Sequence, residues 1–250
     1  MQCNGPLHSW VEGGDMSDVL PVVFVHGIRL SGACWQQQKR LARGRVAAPD
    51  LPGHGTRRGE KFTLAGAVDA VAEAIDEVGG RAVLVGHSLG GYVSIATAAR
   101  HPERVVSLVG AGCSLPPSSV LRGGFRFARR GLATTADDGA SFSAWLLRRV
   151  LPAEVAEPVI AAGIASEVIP DVMEAAAGMD PLADLARYPG RVLLLNGRHD
   201  HFRLGERWFL AACQDGALQI VPGAGHYLPL THGESCARAV DGVATALVSG

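Results

Sequence analysis

Ser88 stands at the centre of Gly86-His87-Ser88-Leu89-Gly90, a G-x-S-x-G pattern between the apolar run Ala82-Val83-Leu84-Val85 and a helix-like run. A serine on such a tight strand-to-helix turn has its hydroxyl pushed clear of the backbone, and the flanking glycines let neighbouring elements close on the turn. The chemistry on offer is nucleophilic attack. An unassisted hydroxyl is almost wholly protonated at neutral pH, so a base is required. Among nine histidines, His226 follows the apolar run ending at Val221 on the loop Pro222-Gly223-Ala224-Gly225, from which an imidazole can swing back over a sheet edge. The base needs an anion to fix its tautomer and stabilise imidazolium, and Asp200 closes Gly197-Arg198-His199-Asp200 just past Leu193-Leu194-Leu195. Taken singly, a glycine-rich turn and a loop histidine are ordinary features. Three such groups after three different strands favour a nucleophile, base and acid on one sheet edge.

The elements that must position them are short apolar runs alternating with helix-length amphipathic ones. Strands are expected at Leu20 to Val25, Val46 to Ala48, Arg81 to Val85, Val105 to Val109, Val192 to Leu195 and Ala217 to Val221. Their near-continuous apolarity suits strands buried on both faces. Helices are expected at about 32–42, 63–78, 89–101, 202–213 and 231–248. Such alternation predicts an α/β fold with a mostly parallel, doubly wound sheet. On it, His26-Gly27-Ile28 directly follows the first strand, where the backbone N–H of Ile28, with that of Leu89, can donate to a developing oxyanion. His26 itself reads as a structural hydrogen-bonding group, and Gly53-His54-Gly55 as a turn.

One region breaks the alternation. From Leu115 to Met179 there are only helical pieces punctuated by proline and glycine, which reads as a helical lid inserted at 115–179 into a core of 1–114 and 180–250. Residues 116–150 carry six Arg against two Asp, and residues 151–180 four Glu and two Asp with no cation, so the halves are expected to attract. Phe125, Phe142 and Trp145 are expected to line a substrate pocket. Arg29, beside the oxyanion loop, is a candidate for a substrate carboxylate, against the plainer reading of a solvated loop arginine.

Composition narrows the class. A chain of 250 residues with 48% hydrophobic content carries one sizeable core, and a net charge of -1 offers no field for a nucleic acid. No apolar run approaches the ~20 residues that span a bilayer. Five scattered cysteines, at 3, 34, 113, 213 and 236, show no C-x-x-C pair and no zinc spacing; they read as free thiols. With no signal-like start in the first twenty residues, a cytoplasmic location is expected. No cofactor or metal is expected, because His199, Asp200 and His201 are adjacent on an extended loop and point different ways.

The segments Val23-Phe24-Val25-His26-Gly27, Asp50-Leu51-Pro52-Gly53-His54-Gly55, Gly86-His87-Ser88-Leu89-Gly90-Gly91, His101-Pro102-Glu103-Arg104-Val105, Gly197-Arg198-His199-Asp200 and Gly223-Ala224-Gly225-His226 together resemble the α/β-hydrolase superfamily, in particular its short esterase-like members with a helical cap. Ser, acid, His is that class's chain order. The resemblance implies Ser88 as nucleophile, His226 as base, Asp200 as acid, and Ile28 and Leu89 as oxyanion donors. Two departures stand out: only Leu7 to Glu12 precedes the strand at 20 where members usually begin with a longer hairpin, and Ile28-Arg29 replaces the H-G-G-G loop of many lipases. A serine at 88 argues against epoxide opening and dehalogenation, for which members use aspartate.

The expected activity is cleavage of a small-molecule carboxylic ester through an acyl-enzyme. Thioesters, lactones or a β-diketone carbon-carbon bond would use the same parts. Two other classes stay open: a cofactor-free lyase using the Ser-His pair for proton transfer, and a non-catalytic small-molecule receptor. Oligomeric state is not legible.

Overall fold

The computed structural model describes residues 19–246 apart from 118–122, 125, 126, 128, 129, 132 and 136. Each expected apolar run forms a strand: β1 Val22–Val25, β2 Val46–Ala47, β3 Ala82–His87, β4 Val105–Ala111, β5 Arg191–Gly197 and β6 Asp215–Val221. They form one parallel sheet in the order β2-β1-β3-β4-β5-β6. The register aligns Val23, Leu84, Leu108 and Val192 across four strands.

Because successive side chains point to opposite faces, the sheet feeds two cores. Val23, Val25, Leu84, Leu108 and Leu194 pack with residues of α2 (Leu64–Val78) and α3 (Leu89–Arg100). Val22, Phe24, Val83, Val85 and Leu195 pack with α10 (Gly233–Ala246) on the other side, where Phe24 stacks on Trp35 at 5.0 Å. Helix α2 shows why these segments coil. Thr63 caps its start by accepting the Gly66 N–H at 3.0 Å, and Ala67, Val68, Val71, Ala74, Ile75 and Val78 make one buried stripe.

Further helices among the described residues include α1 Gln36–Leu41, α4 Ala140–Val150, α5 Ala153–Ala161, α6 Ile169–Ala175, α7 Pro181–Arg187, α8 Glu206–Ala212 and α9 Leu228–Thr231. Three expected helices are shorter or broken. A 3-10 turn, Gly32–Trp35, precedes α1; another, His201–Arg203, precedes α8; and His232 separates α9 from α10. At 200–205 the cause is visible: the Asp200 carboxylate caps the turn through the Phe202 N–H, and the Gly205 N–H is drawn to the Ser114 carbonyl.

Helices α4, α5 and α6 lie between β4 and β5 in the chain, within the segment expected as a lid. Arg148 of α4 and Glu157 of α5 join the two oppositely charged halves with bonds of 2.8 and 3.0 Å. Both are solvent-exposed, so water and salt screen the pair and it adds little to stability. Among the described residues no helix is long and apolar enough to cross a membrane.

Candidate active site

Parallel strands deliver their C-terminal ends to one edge, the usual ligand edge of such sheets. His26 leaves β1 there, Ser88 leaves β3, and Asp200 and His226 lie on the loops beyond β5 and β6. Ser88 adopts φ +52° and ψ −117°, outside the regions open to most residues and costing about 1–3 kcal/mol. The turn is held by Ser88 N–H donating to the Ala111 carbonyl at 2.9 Å and by Gly91 N–H donating to the Ser88 carbonyl at 2.9 Å. Helix α3 leaves so close to β1 that a Cβ on Gly90 would fall onto the Val25 carbonyl.

The three side chains meet. His226 Nε2 lies 3.1 Å from Ser88 Oγ, and its Nδ1 lies 3.1 Å from each Asp200 carboxylate oxygen. With Nδ1–H donating to Asp200, Nε2 is left to accept the Ser88 hydroxyl proton. Burial penalises the Asp200 charge, yet the bonds from His226 and the Phe202 N–H, at 2.8 Å, outweigh it and hold the carboxyl below its ordinary value. The Phe202 ring stacks on His226 at 4.4 Å. Behind the pair, Gly112 sits at φ +58°, and a Cβ there would press on Asp200 Oδ2 and His226 Nδ1.

Sequence reasoning missed His87. It is buried, and its Nε2–H donates to the His226 carbonyl at 2.8 Å, pinning the loop that carries the imidazole. The available signal was a polar residue at the inner end of a buried strand, which must find a partner. His26 is likewise buried: Nδ1–H donates to the Gly27 carbonyl at 2.9 Å, and Nε2 accepts the Leu51 N–H at 3.0 Å. Asp50 braces the same loop by accepting the Gly32 and Thr56 N–H groups at 2.8 Å.

Burial first, then the neighbouring imidazoles, His54 for His26 and His226 for His87, push both histidines down to about 3. Between that value and the ordinary 6.5 the unfolded chain binds a proton at each and the folded chain does not. Stability therefore rises with pH across this window and is lost as pH falls through it, by about 1.4 kcal/mol per pH unit for each histidine. Urea unfolding at a series of pH values from neutral down to about 4.5 should show this loss, and His87→Gln should flatten the slope by about one proton. A flat profile in the unmodified protein would contradict the assignment.

Ser88 opens into an apolar cavity of about 50 Å³ whose walls include Ile28, Leu89, Tyr92 and Phe202, so both expected oxyanion-donor residues border the serine. The wall facing the sheet comes from Val172 and Met173 of α6 with Ala176 and Met179 just after it. A larger cleft of about 540 Å³ is bordered by Asp137, Ala144, Ile164 and Glu167 of the segment between β4 and β5 and by Arg58 from the loop after β2, and does not include Ser88.

Two expected pocket aromatics are therefore corrected. Phe142 and Trp145 are 61% and 57% exposed, stack on each other at 5.8 Å and do not border the serine's cavity. The reason is helical phase: Ala144 and Leu147 of α4 face inward, and residues 142 and 145 fall on the opposite side. Phe125 lies outside the described residues. Arg29 is not in open solvent; it is half-buried and reaches Ser143 and Ser166.

With this geometry in place, the alpha/beta hydrolase family model matches residues 22–239, and the chain belongs to that family. A thermophilic esterase from Thermogutta terrifontis has the same fold, with a TM-score of 0.74 and 24% identity over 91% of this chain and 90% of that one. The pimeloyl-[acyl-carrier protein] methyl ester esterase of Aromatoleum aromaticum is 28% identical over 89% of this chain and 97% of its own length. Lipase LipV of Mycobacterium tuberculosis is 38% identical over 91 residues, 35% of each chain, so the likeness spans about a third of that lipase.

Proposed function

We propose that this chain is a serine esterase that cleaves a carboxylic ester of a small molecule through an acyl-enzyme, without a cofactor. The observation that carries the reading is the unbroken hydrogen-bonded series Asp200, His226, Ser88 at the mouth of an apolar cavity. Ser88 Oγ attacks the ester carbonyl while His226 Nε2 takes its proton, and Asp200 stabilises the imidazolium. The negative charge on the carbonyl oxygen is met by the Ile28 and Leu89 N–H groups. The carbon-oxygen bond to the alcohol then breaks, His226 returns the proton to it, and water repeats the cycle on the acyl-serine. Family membership and relatives named as esterase and lipase support this choice. The same parts open a thioester or a lactone. In this reading residues 115–179 form the lid on a core of 1–114 and 180–250, and the free thiols Cys34, Cys113, Cys213 and Cys236 suit a cytoplasmic setting.

The test is turnover of p-nitrophenyl acetate with acid quenching. Hydrolysis with an acetyl group trapped on the Ser88 peptide is expected; no turnover of any short ester, with Ser88 unmodified, would favour the receptor reading.

A cavity of about 50 Å³ suits a short acyl group, and Met173 stands in its wall. Met173→Ala should raise kcat/KM for the hexanoate ester relative to the acetate by about tenfold, an effect typical of a pocket gaining room for methylene groups. Trp145→Ala should leave that ratio within about twofold, since exposed positions away from a site contribute little. A reversal of the two outcomes would return the pocket to α4.

A further inference from the structure

Arg29 follows Ile28 on the loop after β1 and holds a left-handed backbone, φ +69°, which is costly for a residue with a Cβ. Its carbonyl accepts the Ala165 N–H at 3.0 Å, and its half-buried side chain donates from Nε to Ser166 Oγ at 3.1 Å and from Nη2 to Ser143 Oγ at 2.6 Å. Ser143 is itself fixed, because its hydroxyl donates to the Gly139 carbonyl at 2.9 Å. Both partners of the guanidinium are thus neutral hydroxyls held in place. Arg57, Arg58, Arg148 and Arg203 each face a glutamate, whereas no carboxylate pairs with Arg29 among the described residues. Burial disfavours its charge, and only the Tyr227 phenol, next to His226 in the chain, acts the other way.

Arginine does not shed its proton, so a partly desolvated guanidinium without an anion is an unmet electrostatic demand. Its other N–H groups stay in a planar fork that matches a carboxylate. The position is one residue from Ile28, which borders the Ser88 cavity. We propose that Arg29 is a specificity residue that binds a carboxylate on the substrate a few atoms from the scissile ester. This rests on the esterase reading of Ser88. The substrates it selects are esters bearing one free carboxylate, such as half-esters of dicarboxylic acids, and Ser143 and Ser166 hold the guanidinium in place.

The experiment compares monomethyl with dimethyl esters of succinic, glutaric and adipic acids in the wild type, Arg29→Gln and Arg29→Lys. The wild type should prefer one monomethyl ester over its dimethyl counterpart by about tenfold or more in kcat/KM, as expected for a charge-assisted contact. Arg29→Gln should erase that preference by raising KM for the monomethyl ester far more than for the dimethyl ester, and Arg29→Lys should restore part of it. Raising ionic strength should weaken the monomethyl ester's KM in the wild type alone. Equal losses on both esters in Arg29→Gln, or no preference in the wild type, would overturn the proposal and leave Arg29 a structural tie. Calorimetry with free glutarate decides Arg29 separately from the esterase reading: binding in the wild type that is lost in Arg29→Gln supports the carboxylate site, and no binding refutes it. If no ester is turned over and a fluorophosphonate leaves Ser88 unlabelled, it is the esterase reading that fails.

Discussion

His226→Ala is expected to lower kcat on a short p-nitrophenyl ester by about three or more orders of magnitude, with KM changed by less than about threefold. One imidazole contacts both the Ser88 hydroxyl, which in the proposed reaction must lose a proton, and the Asp200 carboxylate, which would stabilise the resulting cation. The nearby His87 offers no substitute, because its Nε2–H is engaged by the His226 carbonyl and burial keeps the ring neutral. Initial rates on purified folded protein check this. A loss of less than about tenfold would place the general base elsewhere.

Asp200→Asn is expected to fold like the wild type and still lose kcat by about three to four orders of magnitude. The amide keeps an oxygen for the Phe202 N–H, so the 3-10 turn retains its cap. What it loses is the anion on His226 Nδ1: an amide can present its NH2 to the ring instead, favouring the tautomer whose Nε2 carries a proton and cannot accept one from Ser88. Circular dichroism and thermal unfolding separate this from misfolding. No other acid is at hand on the neighbouring strand end, since residues 110–119 contain no Asp or Glu. Wild-type turnover in Asp200→Asn would remove Asp200 from the account.

The strands were legible because parallel strands covered on both faces leave unbroken Val and Leu runs, and Val22 to Val25 or Leu193 to Leu195 admit few other uses. The site was legible for a related reason: once β1, β3, β5 and β6 are parallel neighbours or near neighbours, residues just past their ends converge whatever their distance in the chain. The pocket wall was not. Helix α4 carries two apolar stripes, Ala144 with Leu147 and Phe142 with Trp145, and periodicity alone does not say which one a partner covers. The larger side chains suggested the wrong stripe, because burial is decided by α5 packing against the smaller one. Contacts made only in three dimensions were also hidden, among them the Phe202 ring on His226 and the space kept clear by Gly112.

The most direct test of the central claim is site mapping of a fluorophosphonate adduct by peptide mass spectrometry. The hydroxyl accepted by His226 Nε2 on a strained turn, in a cavity also bordered by Ile28 and Leu89, the proposed oxyanion donors, is the group the probe should find. Modification at Ser88, abolished in Ser88→Ala and strongly slowed in His226→Ala, is the predicted result. A stable adduct on another residue with Ser88 unmodified, or labelling unchanged in Ser88→Ala, would contradict it.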